Sequence, residues 1–197
     1  YKNQLQEFIK KQNADYILWY AGKSIPSFAN ENQKEAYDIN VKSLHSVMEV
    51  VHEKTCFMYP SSRHVYKKSS DLISEKTPLE LDSIYAQQKY EAEQVVLSNH
   101  KRSIVTRNFN FIGLEPVPGT FMHDILRQKD SSVITLYNAN QVLDVMFVQE
   151  AVRAHIHLLL FQSSEHRIAR DVLAEHQGCF VYLHASHRGG PQRRLQA

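Results

Sequence analysis

Cysteine is nearly absent. The 197 residues hold only Cys56 and Cys179, too few for a disulfide framework or a thiolate zinc cluster, so a reducing, cytoplasmic setting and no metal are expected. Long apolar runs are missing as well. The stretch from His157 to Phe161 falls far short of the roughly 20 residues that a bilayer-spanning helix needs, so no membrane partner is expected. Nor is there an excess of one charge. Lys and Arg number 23 against 21 Asp and Glu, for a formal net charge of +2. The basic residues form no stripe, which argues against nucleic acid. The opening Tyr1–Lys11 is too polar for a signal peptide, and it starts without methionine, as though the chain began inside a longer one. What is present is ordinary for a soluble globular protein: 43% hydrophobic and 22% charged residues, enough for one sizeable core.

Short apolar runs alternate with longer amphipathic stretches, the pattern of a parallel α/β sheet. Leu5, Phe8 and Ile9 share one face of a first helix. Tyr16–Tyr20 is expected as a buried strand ending at Ala21-Gly22. A long helix is expected from about Gln33 to Glu53, with Ala36, Leu44, Val47, Met48 and Val51 as its apolar stripe. Thr55–Tyr59 is a second strand, stopped by Pro60-Ser61-Ser62, and a polar loop then runs to about Leu81. Asp82 or Ser83 caps a helix over about Ile84–Ser98. Ser103–Phe109 is a third strand, Gly119–Gln128 a short helix, Val133–Tyr137 another strand and Val148–Phe161 a closing helix. The tail is richer in glycine and arginine. Phe180–Leu183 is a candidate strand there, and little order is expected beyond His184.

Tyr85 and Lys89 stand four apart on a helix and so share a face. A free phenol has a pKa near ~10, and a lysine cation within about 4–6 Å favours its ionised form. Such a phenol can exchange a proton with a sugar hydroxyl. Ser61 and Ser62 end a buried strand, where ligands of open parallel sheets bind, so Ser62 can donate to a substrate oxygen beside Tyr85. Asn40 lies on the apolar stripe between Ala36 and Leu44. An unpaired amide there would cost on the order of 1–3 kcal/mol, so it needs a partner: a backbone contact in the core or a link to the catalytic group. The histidines, including His155 and His157 on one helix and His184 and His187 in the tail, are expected at the surface or in loops rather than on a metal. Trp19 and Cys56 are expected to be packing residues.

The order Ser61-Ser-Arg-His-Val-Tyr66, then Tyr85-Ala-Gln-Gln-Lys89, then Thr106-Arg-Asn-Phe-Asn-Phe-Ile-Gly113 resembles the extended short-chain dehydrogenases/reductases. These are the NAD-dependent epimerases, dehydratases and reductases of sugar-nucleotide type. Asp15-Tyr-Ile-Leu-Trp-Tyr-Ala-Gly22, Tyr37-Asp-Ile-Asn40 and Leu143–Ala154 resemble further segments in register, so that the likeness runs from about Asp15 to Leu160. It implies a doubly wound, Rossmann-like parallel sheet over residues 1–162, followed by an incomplete C-terminal substrate-binding portion over 163–197. It implies NAD or NADP as cofactor and a nucleotide sugar as substrate, with hydride transfer through a transient 4-keto sugar. Tyr85 would be the acid/base, Lys89 its tuner and a ligand of the nicotinamide ribose, and Ser62 the support of the reacting oxygen. Tyr20, Ala21, Gly22 and Lys23 would approach the cofactor, Asn40 would support that site, Phe109 would border the nicotinamide and Asn110 would meet substrate. A homodimer through the helices of Asn40 and Tyr85 is the implied assembly.

Two departures mark the sequence. None of its six glycines forms the Gly-x-x-Gly-x-x-Gly turn that binds pyrophosphate in relatives, so the first strands of the sheet are expected to be missing. Leu143 stands where many relatives carry an arginine facing the substrate diphosphate. The alternative is therefore a truncated, non-catalytic relative that binds a nucleotide or a partner.

Overall fold

The structure, a computed structural model, describes residues 2–69, 72–74, 76–115, 117–118, 120–136, 144–163 and 184–185. Its centre is a sheet of β1 (Tyr16–Leu18), β2 (Cys56–Ser62), β3 (Ser103–Asn108) and β6 (His184–Ala185), in that spatial order. The first three are parallel, and β6 runs antiparallel against β3. A second, two-stranded parallel ribbon joins β4 (Asn110–Ile112) to β5 (Val145–Phe147).

Every residue of β2 and β3 is buried, as a strand covered on both faces must be. Alternation then assigns sides. Phe57, Tyr59 and Val105 pack with Trp19, Val41, Leu44, Val47, Ala92, Val95 and Val96, which brings α4 (Ser43–Met48) and α5 (Ile84–Asn99) onto one face. Cys56, Met58 and Ile104 pack with Leu158 and Leu159 of α7 (Val148–Ser163) on the other. Helices on both faces of a parallel sheet are the doubly wound arrangement expected. Trp19 and Cys56 take the packing roles expected of them, with the indole stacked on Phe57 at 6.2 Å between ring centres. The first helix is α1 (Lys2–Gln12), with Leu5 against the core and Phe8 exposed.

Several expectations need correction. The long helix over 33–53 is segmented: α2 (Pro26–Glu31) precedes it, and α3 (Gln33–Tyr37) passes through a π-helical turn, Asp38–Lys42, into α4. The Ser43 amide donates to the Asp38 carbonyl, five residues back. The turn buries Val41 beside Asn40, and it is this second, adjacent inward residue that the 3.6-residue period does not anticipate. Pro60 does not stop β2. The amides of Cys56 and Phe57 donate to Asp15 and Arg102 respectively, so even-numbered amides of β2 point toward β1. By residue 60 β1 has already ended, with Leu18 opposite Met58, and the missing N–H costs no ladder bond. Val133–Leu136 is no strand; Val133 and Leu136 lie exposed, while Tyr137 falls outside the described residues. So do Leu143 and Phe180–Leu183. The short helix is α6 (Phe121–Leu126).

Candidate active site

The candidate site lies at the carboxyl ends of β1, β2 and β3. Ser83 caps α5, its hydroxyl accepting from the Ala86 amide at 3.1 Å. This fixes the start of the helix that carries Tyr85, Gln88, Lys89 and Glu93 inward, all buried. The Ser62 hydroxyl accepts from the His64 amide at 3.3 Å, which leaves its own hydrogen free to turn toward the Tyr85 phenol, whose pKa it pulls down. The His64 ring stands edge-on to Tyr85 at 5.6 Å. Burial pushes the Tyr85 phenol up to about 12, against the smaller downward pull of Ser62. The lowering expected from Lys89 is therefore not what this geometry gives: burial dominates, and the downward pull comes from Ser62.

Lys89 points elsewhere. Its Nζ donates to the Pro60 carbonyl at 3.1 Å and lies 4.9 Å from the centre of the Tyr59 ring. That carbonyl faces the side where β1 has ended, so the lysine supplies the partner that no strand can. Burial pulls the amine down to about 8, and Glu93 opposes the shift.

Asn40 finds the partner its burial requires, in backbone and in a side chain of α5. Its Oδ1 accepts from the Lys23 amide at 2.7 Å, and its Nδ2 donates to the Lys23 carbonyl at 3.3 Å and to Gln88 Oε1 at 3.0 Å. Gln88 in turn donates to the Gln33 carbonyl at 3.3 Å. One amide thus holds the turn after β1 and ties it to the Tyr85 helix. A Cβ at Gly22 would come within 3.2 Å of Asn40 Oδ1, so only glycine fits there without displacing that amide. Phe109 follows β3, half-buried. Asn110 opens β4, where its Nδ2 donates to the Asp144 carbonyl at 3.0 Å.

His155 corrects the surface assignment. It is 1% exposed, with Nε2 at 3.1 Å from Asn108 Oδ1 and 3.2 Å from Thr106 Oγ1. Its Nδ1 is hydrogen-bonded to the Tyr20 hydroxyl. With Asn108 presenting its carbonyl, Nε2 carries the proton and Nδ1 accepts from Tyr20. Burial pulls the imidazole down to about 4, so it is neutral at pH 7. Tyr20, expected beside the cofactor, is thereby anchored to α7, and Asn108 is the register partner of Ser62. Sequence reasoning missed this group because its members are scattered over three distant segments. It also gave no role to Glu93 and Arg107. Arg107 donates from Nε and Nη2 to the two Glu93 oxygens at 2.9 and 2.7 Å. Glu93 stands four beyond Lys89, a spacing that was readable. Among the described residues no group of ligands could hold a metal ion, and no helix is long and apolar enough to cross a membrane.

A doubly wound sheet with serine, tyrosine and lysine at its carboxyl rim defines a Rossmann-type class of protein. Comparison sharpens this. The chain belongs to the NAD dependent epimerase/dehydratase family, which it matches over residues 1–170. Among curated proteins no sequence matches it significantly. Solved structures share its fold. UDP-glucuronic acid 4-epimerase from Bacillus cereus, in complex with UDP-glucuronic acid and NAD, superposes with a TM-score of 0.71 at 19% identity, covering 83% of this chain and 54% of that one. The dTDP-4-dehydrorhamnose reductase from Bacillus anthracis, in complex with NADP, gives 0.73 at 19% identity, covering 82% and 58%. A dTDP-4-dehydrorhamnose reductase from Clostridium acetobutylicum gives 0.74 at 14% identity, covering 83% and 58%. The chain thus spans little more than half the length of these relatives.

Proposed function

We propose that the chain carries the catalytic half of an NAD(P)-dependent epimerase, dehydratase or reductase acting on a nucleotide sugar. The observation that carries this reading is the burial of Ser62, Tyr85 and Lys89 together at the strand ends, with the Ser62 hydroxyl acting on the Tyr85 phenol. The cofactors and sugars of the structurally similar enzymes support it. The Tyr20–Lys23 turn fits a nicotinamide riboside. Its backbone is held by Asn40 and kept bare by Gly22, and the buried Ser61 Oγ has no hydrogen-bond partner among the described residues. Tyr20, Ala21, Gly22, Lys23, Asn40, Lys89 and Phe109 would hold that end, with Ser62 and Asn110 toward substrate. When bound, the nicotinamide supplies the site that takes up and returns hydride. The protein's own part is proton handling. With its pKa near 12, Tyr85 starts as a neutral donor suited to giving a proton to a carbonyl oxygen. The Ser62 hydroxyl holds that oxygen in line. Lys89 supplies the positive charge that favours the phenolate once the proton has left.

A second reading, a non-catalytic relative, draws on Leu143 and the raised phenol. Titration with NADH and NADPH, followed by nicotinamide fluorescence, separates the two. Binding tighter than about 1 mM, abolished in Lys89→Ala and with turnover lost in Tyr85→Phe, is the expected result. A folded chain that binds neither nucleotide would leave only the second reading. The domain division at residue 162, a homodimer through the helices of Asn40 and Tyr85, and a cytoplasmic location belong to the same proposal. Sedimentation equilibrium tests the dimer.

A further inference from the structure

Tyr85, Lys89 and Glu93 form an i, i+4, i+8 ladder on the inward face of α5, about 6 Å of rise between successive members. They are 4%, 9% and 1% exposed. At its far end the Glu93 carboxylate is fully engaged by the Arg107 fork, and the guanidinium lies 4.8 Å from the centre of the Tyr66 ring. A buried ion pair of this kind is weak evidence for stability, because desolvation consumes most of its Coulomb gain. Its placement behind an amine that otherwise meets only a neutral carbonyl and an aromatic face points to another use. We propose that Glu93 and Arg107 are positioning residues for Lys89, an oriented ion pair whose carboxylate end faces the amine and keeps it a cation inside the protein.

The groups placed around Lys89 are Tyr85 and Glu93 on the inward face of its own helix and the Pro60 carbonyl and Tyr59 ring of β2; Arg107 of β3, stacked on Tyr66, stands behind Glu93. Of these, Glu93 is the one anion, and it is the group that counters the desolvation of Lys89. Arg107 approaches Glu93 from the β3 side, so the pair acts on the amine as a dipole, negative end first. This deepens the proposed acid/base role of Tyr85 and Lys89 and rests on it for its purpose alone. Its measurement needs neither cofactor nor turnover.

The experiment is a pH titration, from about 6.5 to 11, of the chain labelled with carbon-13 at the lysine ε position. The Lys89 signal is assigned by its absence in Lys89→Met. The wild-type midpoint is expected near 8. Glu93→Gln should lower it by about one pH unit and Arg107→Gln should raise it by a similar amount. A mere clamp between α5 and β3 predicts the opposite for Glu93→Gln: a loosened, wetter site whose lysine returns upward toward its ordinary value. That upward movement, or an unchanged midpoint, overturns the proposal. If Glu93→Gln does not fold, the double variant Glu93→Gln/Arg107→Gln, which leaves no guanidinium without its carboxylate, takes its place. A midpoint below wild type supports the dipole, and one equal or higher overturns it. Failure of the wild-type chain to bind either nicotinamide nucleotide would sink the oxidoreductase reading and leave these shifts as they stand.

Discussion

The two faces of β3 solve the same problem in opposite ways. Arg107 points to the α5 side and meets a buried carboxylate; Thr106 and Asn108 point to the α7 side and meet a buried imidazole. One face is charged and the other neutral, within three consecutive residues. Both clusters sit at the carboxyl end of the sheet, so the difference is not one of depth. It follows from what each helix offers. Glu93 meets the fork of Arg107 with both carboxylate oxygens, whereas His155 lies among hydroxyls and an amide and is held neutral by burial. A charged pair makes a field at Lys89, while a neutral network makes only geometry, here the anchoring of Tyr20.

The largest expected effect is on the charged side. Glu93→Leu leaves the Arg107 guanidinium buried without a counter-charge and should cost about 3–5 kcal/mol in urea unfolding. The double replacement Glu93→Leu/Arg107→Met restores an uncharged interior and should recover most of that loss. A single variant within about 1 kcal/mol of wild type would mean that water reaches the pair, since surface ion pairs are worth no more than that.

On the neutral side the expected signature is acid sensitivity. The His155 pKa is lowered to about 4 from an ordinary 6.5. Between those values the unfolded chain binds a proton that the folded chain refuses, so stability falls as pH drops through that window and is constant above it. Taken to its end, the window is worth about 3 kcal/mol. Urea midpoints at pH 7 and pH 4.5 should differ by most of this, and His155→Gln should remove that part of the slope. An unchanged slope in the variant would place the imidazole in contact with water. By contrast, no acid-side slope of this kind is expected from Arg107, which stays charged throughout.

How much of this was legible depended on whether the partners shared an element. Tyr85 and Lys89 lie one turn apart, so a helical period exposed them at once, and the Ser83 cap followed from side-chain chemistry at a helix start. The burial of Asn40 was readable from its place among Ala36 and Leu44. Its partners, the Lys23 backbone and Gln88, were not, because they depend on a π-helical turn that no period announces. His155 was misassigned for the same reason: Tyr20, Thr106 and Asn108 reach it only after the sheet and α7 have packed. The direction of the Tyr85 shift failed differently. Spacing placed a cation nearby but contained nothing about the desolvation that dominates, nor about the Pro60 carbonyl that holds Lys89.

The smallest expected effect separates the two faces by where each key residue sits on its helix. Tyr85 lies in the first turn of α5, directly under the Ser83 cap, whereas His155 lies in the middle of α7. Ser83→Ala removes the acceptor for the Ala86 amide and should cost about 1 kcal/mol. Because fraying is confined to the first turn, the loss should fall on one site only. Amide hydrogen exchange over residues 84–88 should quicken about fivefold, the same energy expressed as a rate, while residues 152–158 of α7 stay as protected as in wild type. If the proposed function holds, nicotinamide nucleotide affinity should fall with the first-turn protection, since the phenol of Tyr85 would then be ordered only part of the time. Equal quickening on both helices would show that the two faces open together, and that the cap stabilises the whole domain rather than the end of the helix that carries Tyr85.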